Sequence, residues 1–309
     1  MNKTKNKKND SLTEIKGDGR WLVLVSPTRK ELKKVSLEHN LQLDFLADPL
    51  DIDERARIET DDDGNVLIVI RIPVFDEAEE IPFSTIPLGL ILAKKAVIAV
   101  CLKENPILED LIEASEGLTR KSADRTRYVL KLFGKIVLQF LRQLKEINRR
   151  TDMVERELHG SLRNEELIKL LNIEKSLVFF TTSLSSNDIM FGKVLRGRIL
   201  TLDEDESDLL EDIVIDNKQA IEMANIYSNI LSGLMDAFAS VISNNLNVVM
   251  KFLTSFTIIL MFTNLVAGIY GMNIDLPFQN SPYAFIYVVF VSLIISLLTV
   301  LIFRRKRWL

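Results

Sequence analysis

Two uninterrupted apolar stretches near the C-terminus constrain this chain more than any other feature. Residues 252–270 read FLTSFTIILMFTNLVAGIY and residues 283–303 read YAFIYVVFVSLIISLLTVLIF, and neither stretch carries a charge. Each has the roughly 20 residues that a helix needs to cross a hydrocarbon core of about 30 Å. One such stretch could be the buried helix of a soluble domain. Two of them, separated only by residues 271–282, predict a transmembrane hairpin. Lys251 precedes the first span and Arg304, Arg305, Lys306 and Arg307 close the second, whereas the intervening loop holds only Asp275. Positive residues stay on the cytoplasmic side. The expected topology therefore has both termini in the cytoplasm, the loop outside and the hairpin in the plasma membrane. The same basic residues suit anionic lipid headgroups.

A mean hydropathy of +0.14 is high for a chain with 27% charged residues, because its apolar residues are concentrated at the C-terminus. A net charge of −4 argues against a general nucleic-acid binder, which would carry a basic stripe. Cys101 is the single cysteine and there are two histidines, too few for a disulfide, a thiolate zinc site or a histidine cage. With no P-loop, nucleophile elbow or HExxH, neither an enzyme nor an organic cofactor is expected.

Six of eight prolines lie at or before Pro106, and the next is Pro277. Strand signals occupy the proline-containing part: residues 21–25, 65–75, 84–92 and 96–102, with DDDG (Asp61 to Gly64) as a hairpin turn rather than a calcium loop. Residues 29–50 have helical spacing. The expected division is a basic disordered tail over 1–20, a cytoplasmic α/β domain over 21–106, and antiparallel helices over 107–205 with Asn187 or Gly192 near a turn. A stalk helix over 206–270 continues into the first span (252–270). An external loop (271–282), a second span (283–303) and a basic cytoplasmic tail (304–309) complete the chain. The fold class is an α+β membrane protein: cytoplasmic α/β domain, long-helix funnel and two C-terminal transmembrane helices. A continuous stalk of 65 residues would run about 97 Å.

Stepping by four and three along that stalk gives Asp236, Ser240, Ser243, Asn247, Met250, Thr254, Thr257, Met261, Asn264 and Gly268. A seam held at heptad spacing lies on one face. Its residues are small or polar, with methionine the sole apolar type. Such a stripe either packs membrane helices closely or lines a water-filled path, and its length favours the path. Asn264 in mid-span is costly unless it faces protein or water. A two-span chain cannot enclose a path alone, so a homo-oligomer follows.

The seam ends at Tyr270-Gly271-Met272-Asn273. YGMN at the outer end of the first of two C-terminal spans, with a long preceding helix, a short acidic loop and a basic tail, resembles the CorA family of divalent-cation channels. The resemblance implies a homopentamer that takes up magnesium, with Gly271-Met272-Asn273 as the selective mouth. It places Asn247, Met250, Leu253, Met261, Asn264 and Gly268 along the pore, with Met250 and Leu253 as a hydrophobic constriction. Asp48 (in LADPL) and Asp212 (in LLEDI) match acidic positions that hold a regulatory cation between subunits, and Asp236 matches a carboxylate near the cytoplasmic end of the pore. Two departures are an Asn at 264 where Thr is common and a short N-terminal domain. Magnesium is thus expected both as transported and as regulatory ion. A zinc, cobalt or nickel transporter of the same architecture, or a membrane-anchored helical scaffold, are the alternatives.

Overall fold

The computed structural model describes residues 12–15, 20–94, 96–108, 122–160, 164–197, 199–278 and 280–308. The chain divides into two compact units, Met1–Gly233 and Leu234–Leu309.

The first unit is built on a six-stranded sheet. Its strands are β1 (Leu12–Ile15), β2 (Arg20–Val25), β3 (Arg57–Thr60), β4 (Val66–Phe75), β5 (Phe83–Leu92) and β6 (Ala96–Cys101), in spatial order β1-β2-β6-β5-β4-β3. Neighbours are antiparallel except β2 and β6, which run parallel with Arg20 opposite Ala96 and Val25 opposite Cys101. Successive strand residues point to opposite faces. Ile68 and Val69 are both fully buried, so protein covers the sheet on both sides, and β4 to β6 read as apolar runs rather than alternations. The prolines fit this ladder. Pro73 of β4 lies beyond Val69, where pairing with β3 stops, so its missing N–H breaks no bond on that side.

The turn chemistry acts as the sequence predicts. Between β3 and β4, Asp61 Oδ1 accepts from the Asn65 N–H at 2.8 Å and Gly64 adopts φ 79°, a conformation that glycine reaches without strain. Thr28 and Glu31 form a capping box at the start of α1 (Arg29–His39). The helical pattern over 29–50 is broken by Asn40, which closes α1 in the left-handed region (φ 51°). The chain resumes as α2 (Leu43–Ala47) and a 3-10 turn, Asp48–Leu50. Leu32, Val35, Phe45 and Leu46 from these helices pack with Leu22, Leu24, Leu67, Val69, Ile91 and Ile98 of the sheet.

A second body of packing surrounds α3 (Ser122–Gly160) and α4 (Asn164–Leu195). Phe180 meets Phe140 edge-on at 5.1 Å and Phe83 of β5 at 6.4 Å. Asn187 and Gly192 both sit inside α4, which corrects the expected turn near either of them. Asn187 is there for a different reason. It is fully buried, its Oδ1 accepts from the Arg71 N–H and its Nδ2 donates to the Arg71 carbonyl, each at 2.9 Å. The amide thus acts as a strand partner for β4 just past the end of β3.

A second correction concerns the N-terminus. Leu12–Ile15, inside the segment expected to be a disordered tail, pairs antiparallel with β2. The edge of β2 left open by β6 is satisfied by this short strand, whose four residues (LTEI) are too few to show a period. Residues 1–11 and 16–19 of that expected tail lie outside the described residues.

The long helix α5 (Glu204–Tyr270) starts in the first unit. Asp203 Oδ1 accepts from the Glu206 N–H at 2.8 Å and Glu206 Oε2 accepts from the Asp203 N–H at 3.2 Å, a capping box within the acidic run. Leu210, Ile213, Asn217 and Ala220 are buried at helical spacing, and Asn217 donates to the Leu184 carbonyl of α4 at 3.1 Å.

The second unit holds the remainder of α5 and α6 (Ala284–Arg305), the two helices long and apolar enough to cross a membrane. α6 ends where Arg307 turns left-handed (φ 56°), the Trp308 N–H meets the Phe303 carbonyl at 3.0 Å, and the Phe303 and Trp308 rings stack at 5.6 Å.

Candidate functional site

In the membrane part of α5 the hydroxyls satisfy themselves along the helix: Ser255 donates to the Lys251 carbonyl, Thr257 to Leu253 and Thr263 to Ile259. Such bonds let Ser and Thr sit in an apolar helix without an orphaned donor. The side chains then sort by face. Ser255 is buried, and Ile258, Ile259, Phe262, Thr263 and Val266 are half-buried, on the side where Thr263 meets Ser296 of α6 at 3.0 Å. On α6 the corresponding stripe is Val288, Ser292, Ile295, Ser296 and Thr299.

The polar seam lies elsewhere. Asp236, Ser240, Ser243, Asn247, Met250, Thr254, Thr257, Met261, Asn264 and Gly268 are all exposed, as is Leu253 at its flank. At 100° per residue the centre of the seam is about 140° around the helix from the face that contacts α6. Close packing within the hairpin therefore does not account for the small and polar residues. The Asn264 amide has no partner among the described residues, although it sits in the middle of an apolar span. An unpaired amide in hydrocarbon costs several kcal/mol, so this face meets another protein chain or water.

The seam runs out at the end of α5. Gly271 and Met272 close the last turn through bonds to the Ala267 and Ile269 carbonyls at 3.0 and 3.2 Å, and the Tyr270 hydroxyl donates to the Pro277 carbonyl at 3.4 Å. Met272, Asn273 and Asp275 are exposed. A Cβ on Gly271 would lie 3.4 Å from the Ala267 carbonyl oxygen. That contact is close to ordinary, so the described residues leave room for a Cβ there.

The acidic candidates are separated along the chain. Asp48, in the 3-10 turn, receives a bond from Arg57 Nη2 to its Oδ2 at 2.6 Å, and Arg57 also pairs with Glu54 and, at 3.3 Å, with Glu59. Sequence reasoning missed this arginine, although Arg57 and Glu59 stand two apart on one strand face. Asp212 is exposed on the first-unit part of α5, and Asp236 is exposed in the second unit. Among the described residues no group of three or more His, Cys, Asp or Glu side chains is placed to hold a metal ion. Sequence reasoning also passed over Thr263 and Ser296, whose only signal was a hydroxyl residue on each apolar helix.

The sequence profile of the family described as "CorA-like Mg2+ transporter protein" matches residues 16–305. The cobalt/magnesium transport protein CorA of Methanocaldococcus jannaschii is 28% identical over 300 residues, covering 94% of this chain and 91% of that protein. The protein of the same name from Thermotoga maritima is 25% identical over 275 residues, covering 85% and 76% respectively. The complete structure of the M. jannaschii magnesium transporter CorA superposes with a TM-score of 0.82 at 26% identity, covering 97% of this chain and 95% of that one.

Proposed function

The chain belongs to the CorA family, whose members are ion transporters and not enzymes, and from that premise we propose that it forms a homopentameric magnesium channel. It is a CorA-type divalent-cation transporter. The finer reading rests on one observation: a polar seam on α5 that faces away from α6 and ends at Gly271-Met272-Asn273. Five copies arranged with that seam inward enclose a path that no single hairpin can. They also give each Asn264 amide water or a neighbouring amide in place of lipid.

The chemistry of the seam suits magnesium. The ion sheds water reluctantly and is commonly held with several waters in place. Five Asn273 amides at the mouth accept hydrogen bonds from that water shell without the tight grip of carboxylates, so the ion can leave again. Asp275 beside the mouth raises the local cation concentration. Asn247, Thr254, Thr257 and Asn264 continue the polar lining, while Met250 and Leu253 form the narrow apolar part. With both termini in the cytoplasm of a plasma-membrane protein, an inside-negative potential drives entry by about 4.6 kcal/mol per 100 mV for a dication.

Regulation follows from Asp48 and Asp212 meeting across neighbouring subunits with a magnesium ion between them. Arg57 engages Oδ2 of Asp48, which leaves Oδ1 for the ion. Rising cytoplasmic magnesium then ties adjacent subunits together and closes the path. Asp236 contributes a carboxylate toward the cytoplasmic end.

The test is uptake into proteoliposomes that report internal free magnesium, under an imposed inside-negative potential, with wild type beside Asn273→Ala. Potential-dependent magnesium entry that disappears in the variant is the expected result. A correctly assembled wild type that passes zinc under a proton gradient but not magnesium would refute the proposed ion. Absence of flux for every divalent cation would reduce the chain to a membrane scaffold.

A further inference from the structure

The hydroxyls at the α5–α6 contact do not all behave alike. On α6, Ser292 donates to the Val288 carbonyl and Thr299 to the Ile295 carbonyl, each at 2.8 Å and each within its own helix. Ser296, on the same stripe, reaches across to Thr263 of α5 at 3.0 Å. The direction of that bond follows from proton count. Thr263 has one hydroxyl hydrogen, and it is donated to the Ile259 carbonyl at 3.1 Å. Ser296 is therefore the donor, and the relay runs from Ser296 to Thr263 to the α5 backbone. A side-chain bond tied to the backbone in this way resists rotation of α5 about its own axis.

The position of this bond gives it consequences. Thr263 immediately precedes Asn264, the mid-span amide of the seam, and Met261 lies two residues before it. The half-buried neighbours on this face are aliphatic or aromatic (Ile258, Ile259, Phe262 and Val266) and tolerate small rotations, since apolar packing has no directional preference, while the buried Ser255 donates its hydrogen to the Lys251 carbonyl of its own helix. Neighbouring helices in lipid gain little from hydrophobicity, so a directional bond carries more of the specificity there.

We propose that the Ser296–Thr263 hydrogen bond sets the rotational angle at which α5 presents Asn264 and Met261 to the permeation path. Both are positioning residues that act on conductance without touching the ion. The inference rests on the reading of the seam as that path. It assigns different parameters to different places: the concentration of external magnesium giving half-maximal uptake belongs to the mouth at Asn273, and the maximal rate belongs to the mid-span lining that this bond orients.

The experiment measures magnesium uptake over a range of external concentrations in proteoliposomes of the full chain. Wild type is compared with Thr263→Val, Ser296→Ala, the double variant and Thr263→Ser. Thr263→Val and Ser296→Ala should each change the maximal rate by about threefold or more, the equivalent of one interhelical bond in a membrane. The half-maximal concentration should stay within about twofold. Thr263→Ser keeps the hydroxyl and should restore the wild-type rate, and the double variant should match the single ones because both remove the same bond. Unchanged maximal rates in Ser296→Ala, effects that add in the double variant, or a Thr263→Ser rate as altered as that of Thr263→Val would each overturn the proposal. Should Thr263→Val fail to assemble, Ser296→Ala and Thr263→Ser decide the question alone. Wild-type flux that ignores Asn273→Ala would instead overturn the channel reading, independently of these variants.

Discussion

Gly89 of β5 lies directly beneath the turn that carries Asp48, and replacing it with alanine tests how tightly that turn is held. A Cβ at this position would stand 2.3 Å from Cγ and 2.7 Å from Cβ of Pro49, well inside van der Waals contact. Neither side can retreat easily. Gly89 is paired with Val69 of β4 on one side and Val100 of β6 on the other, and Pro49 is buried with a ring whose one freedom is a change of pucker. Overpacking of this kind costs about 1–3 kcal/mol, and the rigidity of both partners argues for the upper end. For a unit of this size each kcal/mol lowers the melting midpoint by about 2–4 °C, so Gly89→Ala should melt roughly 5–10 °C below wild type. Circular dichroism of the detergent-solubilised full chain measures it. Pro49→Ala in the same chain, by removing the Cγ, should recover part of the loss. A Gly89→Ala midpoint within about 2 °C of wild type, or a double variant no more stable than Gly89→Ala, would refute the reasoning.

Three further outcomes follow from geometry already described. Asn187→Ala orphans the N–H and carbonyl of Arg71 and should lower stability by about 2–4 kcal/mol, read as an earlier denaturation midpoint. Asp212→Asn and Asp48→Asn should each raise several-fold the internal magnesium concentration that halves uptake; an unchanged inhibition curve would remove either residue from the proposed regulatory site. Hydrogen bonds from Arg149 at 2.8 Å, joined by one from Arg150, hold the Glu146 carboxyl down at about 2 from an ordinary 4.5. Because the folded value is the lower one, its contribution is complete above pH 4.5 and is lost as pH falls from there through about 2. Glu146→Gln should flatten the dependence of the melting midpoint on pH across that interval. The effect is modest because the pair is solvent-facing.

What the sequence disclosed and what it hid divide along a physical line. Features set by neighbours in the chain were legible: the Asp61-to-Gly64 turn, the apolar spans and the heptad seam. Each depends on a period or on chemistry within a few residues. The hidden features depend on partners far away in sequence. Asn187 resembles a loop residue until β4 supplies Arg71 116 positions earlier, and Leu12–Ile15 becomes a strand because β2 offers it an edge. Ser296 is one more serine in an apolar helix until Thr263 faces it. Of the candidate site, the exposed seam and its YGMN end were visible as a pattern. Arg57 beside Asp48 was not, because a charged side chain on a short edge strand is ordinary in a solvated surface.

The parallel pairing of β2 with β6 also has a consequence for the order of events at the ribosome. Arg20–Val25 cannot complete its place in the sheet until Ala96–Cys101 has been made, and β4 lacks its partner at Arg71 until Asn187 has followed. All of these residues emerge before residue 252, where the first apolar span begins. At about 5–20 residues per second the 18 residues between Gly233, where the first unit ends, and that span take roughly 1–4 s to synthesise. Domains dominated by such non-local pairing fold in milliseconds to seconds, so folding keeps pace with synthesis. The N-terminal unit therefore sets into a folded body before any segment able to enter a bilayer exists. A folded body does not thread through a membrane, so in the topology proposed above the timetable of synthesis and the basic residues beside each span act toward the same side for the N-terminus.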